Sequence, residues 1–190
     1  MADELIDILT PKGLLSGCTK LKSEAHLKGL WHASAQIWLY TPQGDILIQK
    51  RTPNKDTYPN LWDISVAGHL SAGDTPRNAA VREIKEEIGI NLNIKDLHHL
   101  KTIKNSKKPN ERITDNEFNH LYICCTPIVI EKLKLQASEV ADVKLISIKE
   151  FKKELKKNYF KFVPHGMDYY LYITDSITSA LSVNKKTNSF

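Results

Sequence analysis

The sequence of 190 residues predicts an α/β fold in which a mixed β-sheet carries helices packed on it. Three observations support this: a β-rich hairpin at 34–51, a capped amphipathic helix at 75–89, and strands mixed with helices without a strict strand–helix–strand repeat. The length fits one domain, 1–190, in which about 1–30 form an N-terminal extension with a short strand and about 184–190 a flexible tail.

The predicted elements follow in chain order. ELIDIL is a short strand, and SAQIWLYTPQGDILIQKR forms two strands around the turn TPQGD. After the loop NKDTYPN comes the helix TPRNAAVREIKEEIG, with Thr75 as its cap, Pro76 in its first turn and Gly89 at its end. Further strands are predicted in LHHLKTI, EFNHLYICCTPIVI and SEVADVKLISI, a polar loop in NSKKPNERITDN, and two closing helices in KEFKKELKKN and GMDYYLYITDSITSAL.

Composition excludes several classes of protein. Hydrophobic residues make up 41% of the chain, which is enough for a packed core. Since no apolar run reaches about 18 residues, we expect no membrane-spanning helix. The segment MADELIDILT lacks the pattern of a signal peptide, and Cys18, Cys124 and Cys125 lack metal-finger spacing. We therefore expect a reducing, cytoplasmic location.

The net charge of +5 is concentrated in the lysines of KNSKK and KEFKKELKKN. In the second segment, Glu150 and Glu154 alternate with the lysines at helical spacing, which is typical of a solvated face. Because no nucleic-acid-reading motif accompanies these lysines, we expect no nucleic acid polymer as a partner.

The predicted helix at 75–89 carries an unusual cluster of acids. Its apolar positions share one face: Ala80, Val81, Ile84 and Ile88. The neighbouring face carries three carboxylates at i, i+3 and i+4 spacing: Glu83, Glu86 and Glu87. Like charges at this spacing repel, and a hard divalent cation with oxygen ligands would neutralise them. Taken alone, the three glutamates also fit an ordinary solvated face, so the flanking residues decide.

These flanks resemble the Nudix box, G-x5-E-x7-R-E-U-x-E-E-x-G-U, where U is a bulky aliphatic residue. Gly68 opens the pattern and Asp74 stands where the pattern has Glu. The remaining positions match in register: Arg82, Glu83, Ile84, Glu86, Glu87, Gly89 and Ile90. So long a motif is far more specific than a lone glycine-rich turn. The order of the elements also resembles the Nudix α/β/α sandwich over nearly the whole chain.

The resemblance implies a magnesium- or manganese-dependent hydrolase that cleaves a diphosphate linkage in a nucleoside diphosphate derivative or related small molecule. It implies metal ligation by Glu83, Glu86 and Glu87, and by the carbonyl of Gly68. It implies catalytic parts for Glu86, Glu87 and Arg82, whose planar guanidinium suits bidentate carboxylate contacts. Asp74 would support the box by pairing with Arg82. Since members of the family often form homodimers, the resemblance also suggests a homodimer.

The segment 32–74 resembles one branch of the superfamily, the type 1 isopentenyl-diphosphate isomerases and related hydrolases. In those isomerases, histidines and an E-x-E element build a metal site. His32 and His69 match two such histidines, and His26 is a third candidate whose spacing is off by one. Asp115 and Glu117 stand at the E-x-E positions.

The residue before the Gly68–His69 pair separates hydrolase from isomerase. The isomerase uses a cysteine there to transfer a proton, whereas this sequence has Ala67, which cannot do so. The isomerases also tend to have a degraded Nudix box, whereas this one is nearly complete. Both differences favour hydrolysis. An isomerase with an altered mechanism and a non-catalytic nucleotide-binding domain remain alternatives.

Further residues are candidates for contact with a small diphosphate substrate. Glu117, at the junction of the predicted loop and strand, is the candidate general base. The candidate substrate-binding residues are Lys50, Arg51, His69, His32 and Asp115. Lys55 is equally compatible with a solvated surface position, and each histidine also fits a structural role.

Overall fold

The computed structural model describes the backbone of residues 3–187 and the side chains of residues 3–183. Four helices are present: α1 (Lys22–Lys28), α2 (Pro76–Ile88), α3 (Ile148–Asn158) and α4 (Met167–Thr187). The first strands are β1 (Leu5–Leu9), β2 (Leu15–Leu21), β3 (His32–Tyr40), β4 (Asp45–Arg51), β5 (Trp62–Asp63) and β6 (Val66–His69). The remaining strands are β7 (His98–Asn110), β8 (Ile113–Cys125) and β9 (Val140–Ser147).

Seven of these strands form one mixed sheet. Its main path runs β5-β4-β3-β8-β7, with β6 paired to β3 and β9 paired to β4. The pairing of β3 with β8 is parallel, and the other pairings are antiparallel. The predicted mixed sheet is therefore confirmed, and its one parallel pairing joins strands that are distant in the sequence.

The sheet separates two apolar cores, because successive side chains of a strand point to opposite faces. On one face, Ala35 and Ile37 of β3 pack with α2, which contributes Ala80 and Ile84. On the other face, Trp38 packs with α3 and α4, with ring contacts to Phe151, Tyr169 and Tyr170. The result is the expected α/β/α arrangement of three layers.

The local signals of α2 predicted its bounds well. The hydroxyl of Thr75 accepts a hydrogen bond from the Asn78 amide, and Gly89 ends the helix with φ 76°. The buried face differs from the prediction, because Val81 is only partly buried while Glu83 and Glu87 are buried. Two of the three acids thus lie inside the protein rather than on a solvated face.

The prediction of a polar loop in NSKKPNERITDN was wrong. These residues continue β7 to Asn110 and begin β8 at Ile113, so the two strands form one long hairpin. Residues in this part of the hairpin are exposed or only partly buried. Because neither face is apolar, the segment lacks the alternation that identifies a strand.

Three further predictions needed revision. The N-terminal extension contains β2 and α1 besides the predicted short strand, and Ile6, Ile8 and Ala25 form a small core there. The strand predicted in EFNHLYICCTPIVI ends at Cys125, and the short strands β5 and β6 were not foreseen. Of the predicted flexible tail, 184–187 belong to the backbone of α4 and 188–190 lie outside the described residues.

No helix in the described part of the chain is long and apolar enough to cross a membrane. Cys18 is an exposed free thiol, and Cys124 is a buried one.

Replacement of Gly89 by alanine should destabilise the fold by about 2 kcal/mol, because an alanine there is strained at positive φ and its Cβ would lie 2.8 Å from the Cβ of Lys134. Gly17 is the matched control, since its φ is 81° and a Cβ there meets nothing within 4 Å. Urea unfolding should show a smaller loss for Gly17→Ala. Equal losses in the two variants would contradict the packing of Gly89 on Lys134.

Candidate functional site

A polar cleft of about 400 Å³ lies beside α2 and β6. It is also lined by residues of the β7–β8 hairpin, of the loop between β4 and β5, and of the segment between α3 and α4. The lining includes these predicted site residues: Arg51, Gly68, His69, Arg82, Glu83, Glu86, Glu87, Asp115 and Glu117. The structure therefore brings residues far apart in the sequence to one place.

Glu83 and Glu87 lie in the wall of this cleft and are almost fully buried, with 9% and 3% of their surfaces exposed. Glu86, one turn from Arg82, is more exposed. A Cβ built on Gly68 would lie 2.0 Å from the Cδ of Glu83, so only glycine leaves room for this carboxylate. The glycine of the motif and its first glutamate are thus coupled by direct packing.

Arg82 holds the acid cluster together. One terminal nitrogen lies 2.8 Å from the Oε1 of Glu83 and 3.3 Å from the Oε2 of Glu86. The other donates to the carbonyl of His69 at 3.0 Å, and the Nε lies 3.4 Å from the Oδ2 of Asp74. The pairing of Asp74 with Arg82 agrees with the expectation from the resemblance. Glu4 of the N-terminal extension also approaches this guanidinium, at 3.5 Å, which the sequence did not reveal.

The two buried carboxylates are poorly neutralised. Burial raises the pKa of Glu83 to about 7, although the nearby Arg82 opposes the change. Burial, followed by the charge of Glu83, raises the pKa of Glu87 to about 8. The amide of Gln49 donates to the Oε2 of Glu87 at 3.1 Å. Both pKa values rise in spite of Arg82 and Gln49, and such buried carboxylates favour a bound cation.

A second cluster, which we call the histidine cluster, contains His26, His32, His69 and Glu117. One ligand atom from each residue lies within 4.8 Å of the other three. The parallel pairing of β3 with β8 places His32 directly opposite Glu117, and β6 brings His69 beside them. His26 joins from α1, so its shifted spacing in the sequence does not exclude it.

The atoms of the histidine cluster are arranged as in a metal site. The Nδ1 of His32 lies 2.8 Å from the Leu30 carbonyl, to which it can donate. The Nε2 of His32 is buried and faces Glu117, whose Oε1 lies 3.5 Å away. This nitrogen makes no hydrogen bond to any described residue. The Nε2 of His69 lies 3.2 Å from the same carboxylate oxygen. In metal sites, a backbone carbonyl commonly accepts from one ring nitrogen of a histidine and so orients the other nitrogen toward the ion.

The surroundings act differently on the three histidines: burial lowers the pKa of His26 and of His69, whereas at His32 burial is outweighed by the contact with Glu117, which raises the pKa. Burial, with help from the charges of His69 and His32, lowers the pKa of His26 to about 4, which keeps the ring neutral as a metal ligand must be. The amide of Asn119 donates to the other oxygen of Glu117 at 2.7 Å. Imidazole nitrogens suit zinc or iron better than magnesium, so the two clusters differ in donor chemistry.

This geometry bears on the predicted general base. Glu117 lies among histidines and Asn119 rather than alone in the cleft, so ligation competes with proton transfer as its role. Asp115 lines the cleft beside the cluster, with an oxygen 3.7 Å from the Nε2 of His26. Burial and the charge of Glu117 raise the pKa of Asp115 to about 6.

The basic residues divide into two groups. Arg51 lines the cleft, but its guanidinium is bound to the Thr57 carbonyl, at 2.9 and 3.0 Å, and to Asp63, at 3.2 Å. Lys55 also lines the cleft and pairs with Glu139. Lys50 is not among the lining residues, because its neighbour Gln49 takes the position that faces Glu87.

Several lining residues had no local signal in the sequence: Glu4, Lys22, Gln36, Asp63, Lys107 and His165. They come from separate elements and meet only through the tertiary fold.

Comparison with known proteins identifies the family. A model of the NUDIX domain family matches residues 30–166. Nudix hydrolase 3 of Arabidopsis thaliana is 34% identical over the whole chain, although the chain spans only 25% of that protein. An uncharacterized Nudix hydrolase of Clostridium acetobutylicum is 37% identical over 79% of the chain and 73% of its own length. An isopentenyl-diphosphate Delta-isomerase of Streptomyces avermitilis is 26% identical over 82% of the chain and 77% of its own length.

Solved structures agree on the fold. DR0079 from Deinococcus radiodurans superposes with a TM-score of 0.61 and 19% identity, covering 82% of this chain and 90% of its own. The family match spans most of the chain, and it includes the glycine, the arginine and the three glutamates of the acid cluster. The chain therefore belongs to the NUDIX family.

Proposed function

We propose that this chain is a divalent-metal-dependent hydrolase that cleaves a diphosphate linkage of a nucleoside diphosphate derivative or related small molecule. The observation that carries the proposal is the acid cluster, in which Glu83 and Glu87 are buried at the cleft wall with raised pKa values. Burial of carboxylates is costly even with Arg82 and Gln49 beside them, and a bound cation offsets the cost. A domain that only bound a nucleotide would not need this arrangement.

The residues fit magnesium or manganese. Glu83, Glu86 and Glu87 would hold the ion, together with the carbonyl of Gly68. When bound, such an ion neutralises a diphosphate and lowers the pKa of a coordinated water. Arg82 orients Glu83 and Glu86, while Gln49 fixes Glu87.

The chain's own residues supply the remaining functions. Glu87, held by Gln49, is our candidate to accept the proton of the attacking water. Lys22 and Lys107 line the cleft and place positive charge where a diphosphate would lie.

We propose a cytoplasmic location, which the free thiol of Cys18 favours. A homodimer stays a prediction, which light scattering would test.

An isomerase is the second candidate, and the histidine cluster is the observation that favours it. Double-bond migration needs an acid and a base on opposite faces of the substrate. Ala67 lines the cleft beside Gly68 and offers no proton, so hydrolysis agrees better with the lining residues.

Replacement of Glu87 by glutamine should lower kcat by about 100-fold or more, because it removes a charge that holds the cation and the candidate base. The matched control is Glu150→Gln on α3, where the glutamate is exposed and pairs with Lys153 outside the cleft. Steady-state kinetics with the best diphosphate substrate measures both variants. Unchanged turnover in Glu87→Gln, with an intact fold, would remove Glu87 from the site.

Stabilisation by magnesium should increase with pH. The folded-state pKa values of Glu83 and Glu87, about 7 and about 8, lie above the ordinary value of 4.5, so the metal-free fold binds more protons than the unfolded chain between these values. Its stability therefore falls as pH rises through this window. Magnesium displaces these protons and binds more tightly at higher pH.

Thermal unfolding at about pH 6 and about pH 9, with magnesium or with a chelator, measures this effect. The rise in Tm on adding magnesium should be larger at the higher pH, and Glu87→Gln should reduce the difference. An equal rise at both pH values would contradict the protonation of the acid cluster.

The histidine cluster should retain about one equivalent of zinc after gel filtration. His26→Ala should weaken that retention by about tenfold or more, because it removes one nitrogen ligand. His99→Ala is the control, since His99 lies on β7 outside the cluster. Elemental analysis gives the zinc content, and equal retention by the wild type and His26→Ala would show that the cluster is not a metal site.

A further inference from the structure

One end of the cleft carries polar groups that neither the acid cluster nor the histidine cluster uses. Gln36 on β3, Asp63 on β5 and His165, between α3 and α4, all line the cavity. The residues come from separate elements, and each is held by neighbours behind the cleft wall. Their hydrogen bonds show which polar atoms remain for a ligand.

Asp63 fixes the ring of His165. One oxygen of Asp63 accepts from the Nε2 of His165 and from the amide of Ile64, both at 2.8 Å, and the other accepts from Arg51. Burial alone would raise the pKa of Asp63, but the His165 and Arg51 charges and these hydrogen bonds hold it well below its usual range. An ionised carboxylate only accepts, so the Nε2 of His165 carries a proton.

The other ring nitrogen of His165 remains available to the cleft. The ring stacks on Tyr169, with centroids 4.8 Å apart and planes 24° apart, and 13% of the side chain is exposed. Among residues 3–183, none makes a hydrogen bond to its Nδ1. This nitrogen accepts when the ring is neutral and donates when it is charged.

Tyr169 also orients Gln36. The indole of Trp38 donates to the Tyr169 hydroxyl at 3.1 Å, and that hydroxyl lies 2.8 Å from the Oε1 of Gln36. Because an indole only donates, the phenolic oxygen is its acceptor and the phenolic proton goes to Gln36. The amide NH₂ of Gln36 is then the part left as a donor for the cleft.

These two polar groups match one kind of ligand atom. A hydroxyl can accept from the Gln36 amide and can donate to, or accept from, the Nδ1 of His165. A plain hydrocarbon would leave both groups unpaired, which a largely desolvated site penalises. Aliphatic side chains are few in this lining, with Ala67, Ile113 and Val163 as the members.

We propose that Gln36 and His165 form a subsite that selects a hydroxyl on the group attached to the diphosphate. Asp63 and Tyr169 are the positioning residues of this subsite. The inference rests on the proposed hydrolase function and narrows its substrates to those with a hydroxylated group, such as a sugar, over an isoprenoid.

The test compares matched pairs of compounds with and without hydroxyls. One pair is a nucleoside diphosphate and its 2′,3′-dideoxy analogue, and the other is a nucleoside diphosphate hexose and its deoxyhexose analogues. The wild type should prefer the hydroxylated member of at least one pair by about tenfold or more in kcat/KM. His165→Phe keeps the ring stack on Tyr169. In this variant, and in Gln36→Leu, the kcat/KM of the hydroxylated member should fall to that of its deoxy partner.

Three variants together distinguish loss of the hydroxyl contact from damage to the fold. His165→Phe removes a donor from Asp63, whereas Gln36→Leu leaves the pair of Asp63 and His165 intact, so the fold is checked by circular dichroism in both. His165→Asn, which can place an amide near the Nδ1 position, should recover part of the preference. The subsite would be overturned if the variants lost the same factor in kcat/KM for both members of a pair. It would also be overturned if the wild type showed no preference.

Calorimetric binding of the same pairs separates this inference from the proposed function. Hydrolysis without preference would leave the hydrolase standing and remove the subsite. Preferential binding of the hydroxylated member, lost in His165→Phe, would support the subsite even if no compound were hydrolysed, and the hydrolase would then fail alone. Neither hydrolysis nor preferential binding would overturn both.

Discussion

The close packing of Glu83 on Gly68 is the constraint on which the site depends. Because Gly68 has no Cβ, the carboxylate of Glu83 fits in the wall of the cleft, one turn from the buried Glu87. Such an arrangement costs stability, because buried carboxylates lose hydration and repel each other. Arg82 and Gln49 hold the two side chains without neutralising them fully. A bound divalent cation would supply the missing positive charge and could at the same time contact a diphosphate.

The sequence predicted the parts of the fold that depend on local chemistry. The helix α2 has a threonine cap, a proline in its first turn and a glycine at its end, and each acts within a few residues. The long hairpin was missed because Lys107 and its neighbours lie on a polar ribbon without an apolar face. The place of His26 in a metal-like cluster depends on how α1 packs beside β8, which spacing along the chain does not encode.

Within the site, too, some features follow from local sequence and others only from tertiary packing. The spacing of Glu83, Glu86 and Glu87 reveals the acid cluster directly, since one helix carries all three residues. His165 and Asp63 are 102 residues apart and belong to no shared pattern, so only the tertiary structure joins them. His69 links the two metal-like clusters, because its ring belongs to one and its carbonyl holds the arginine of the other. The relatives include both hydrolases and isomerases, and the chemistry of the lining residues, Ala67 above all, favours hydrolysis.

The most direct test is phosphorus NMR of the purified protein with magnesium and a panel of small diphosphates. The panel contains nucleoside diphosphates, nucleotide sugars, dinucleotides, thiamine diphosphate and isopentenyl diphosphate, with a proton spectrum of the last. We expect new phosphomonoester or phosphate signals that require magnesium and disappear in Glu87→Gln. A shifted double bond with the diphosphate intact would contradict the proposed hydrolysis and identify an isomerase.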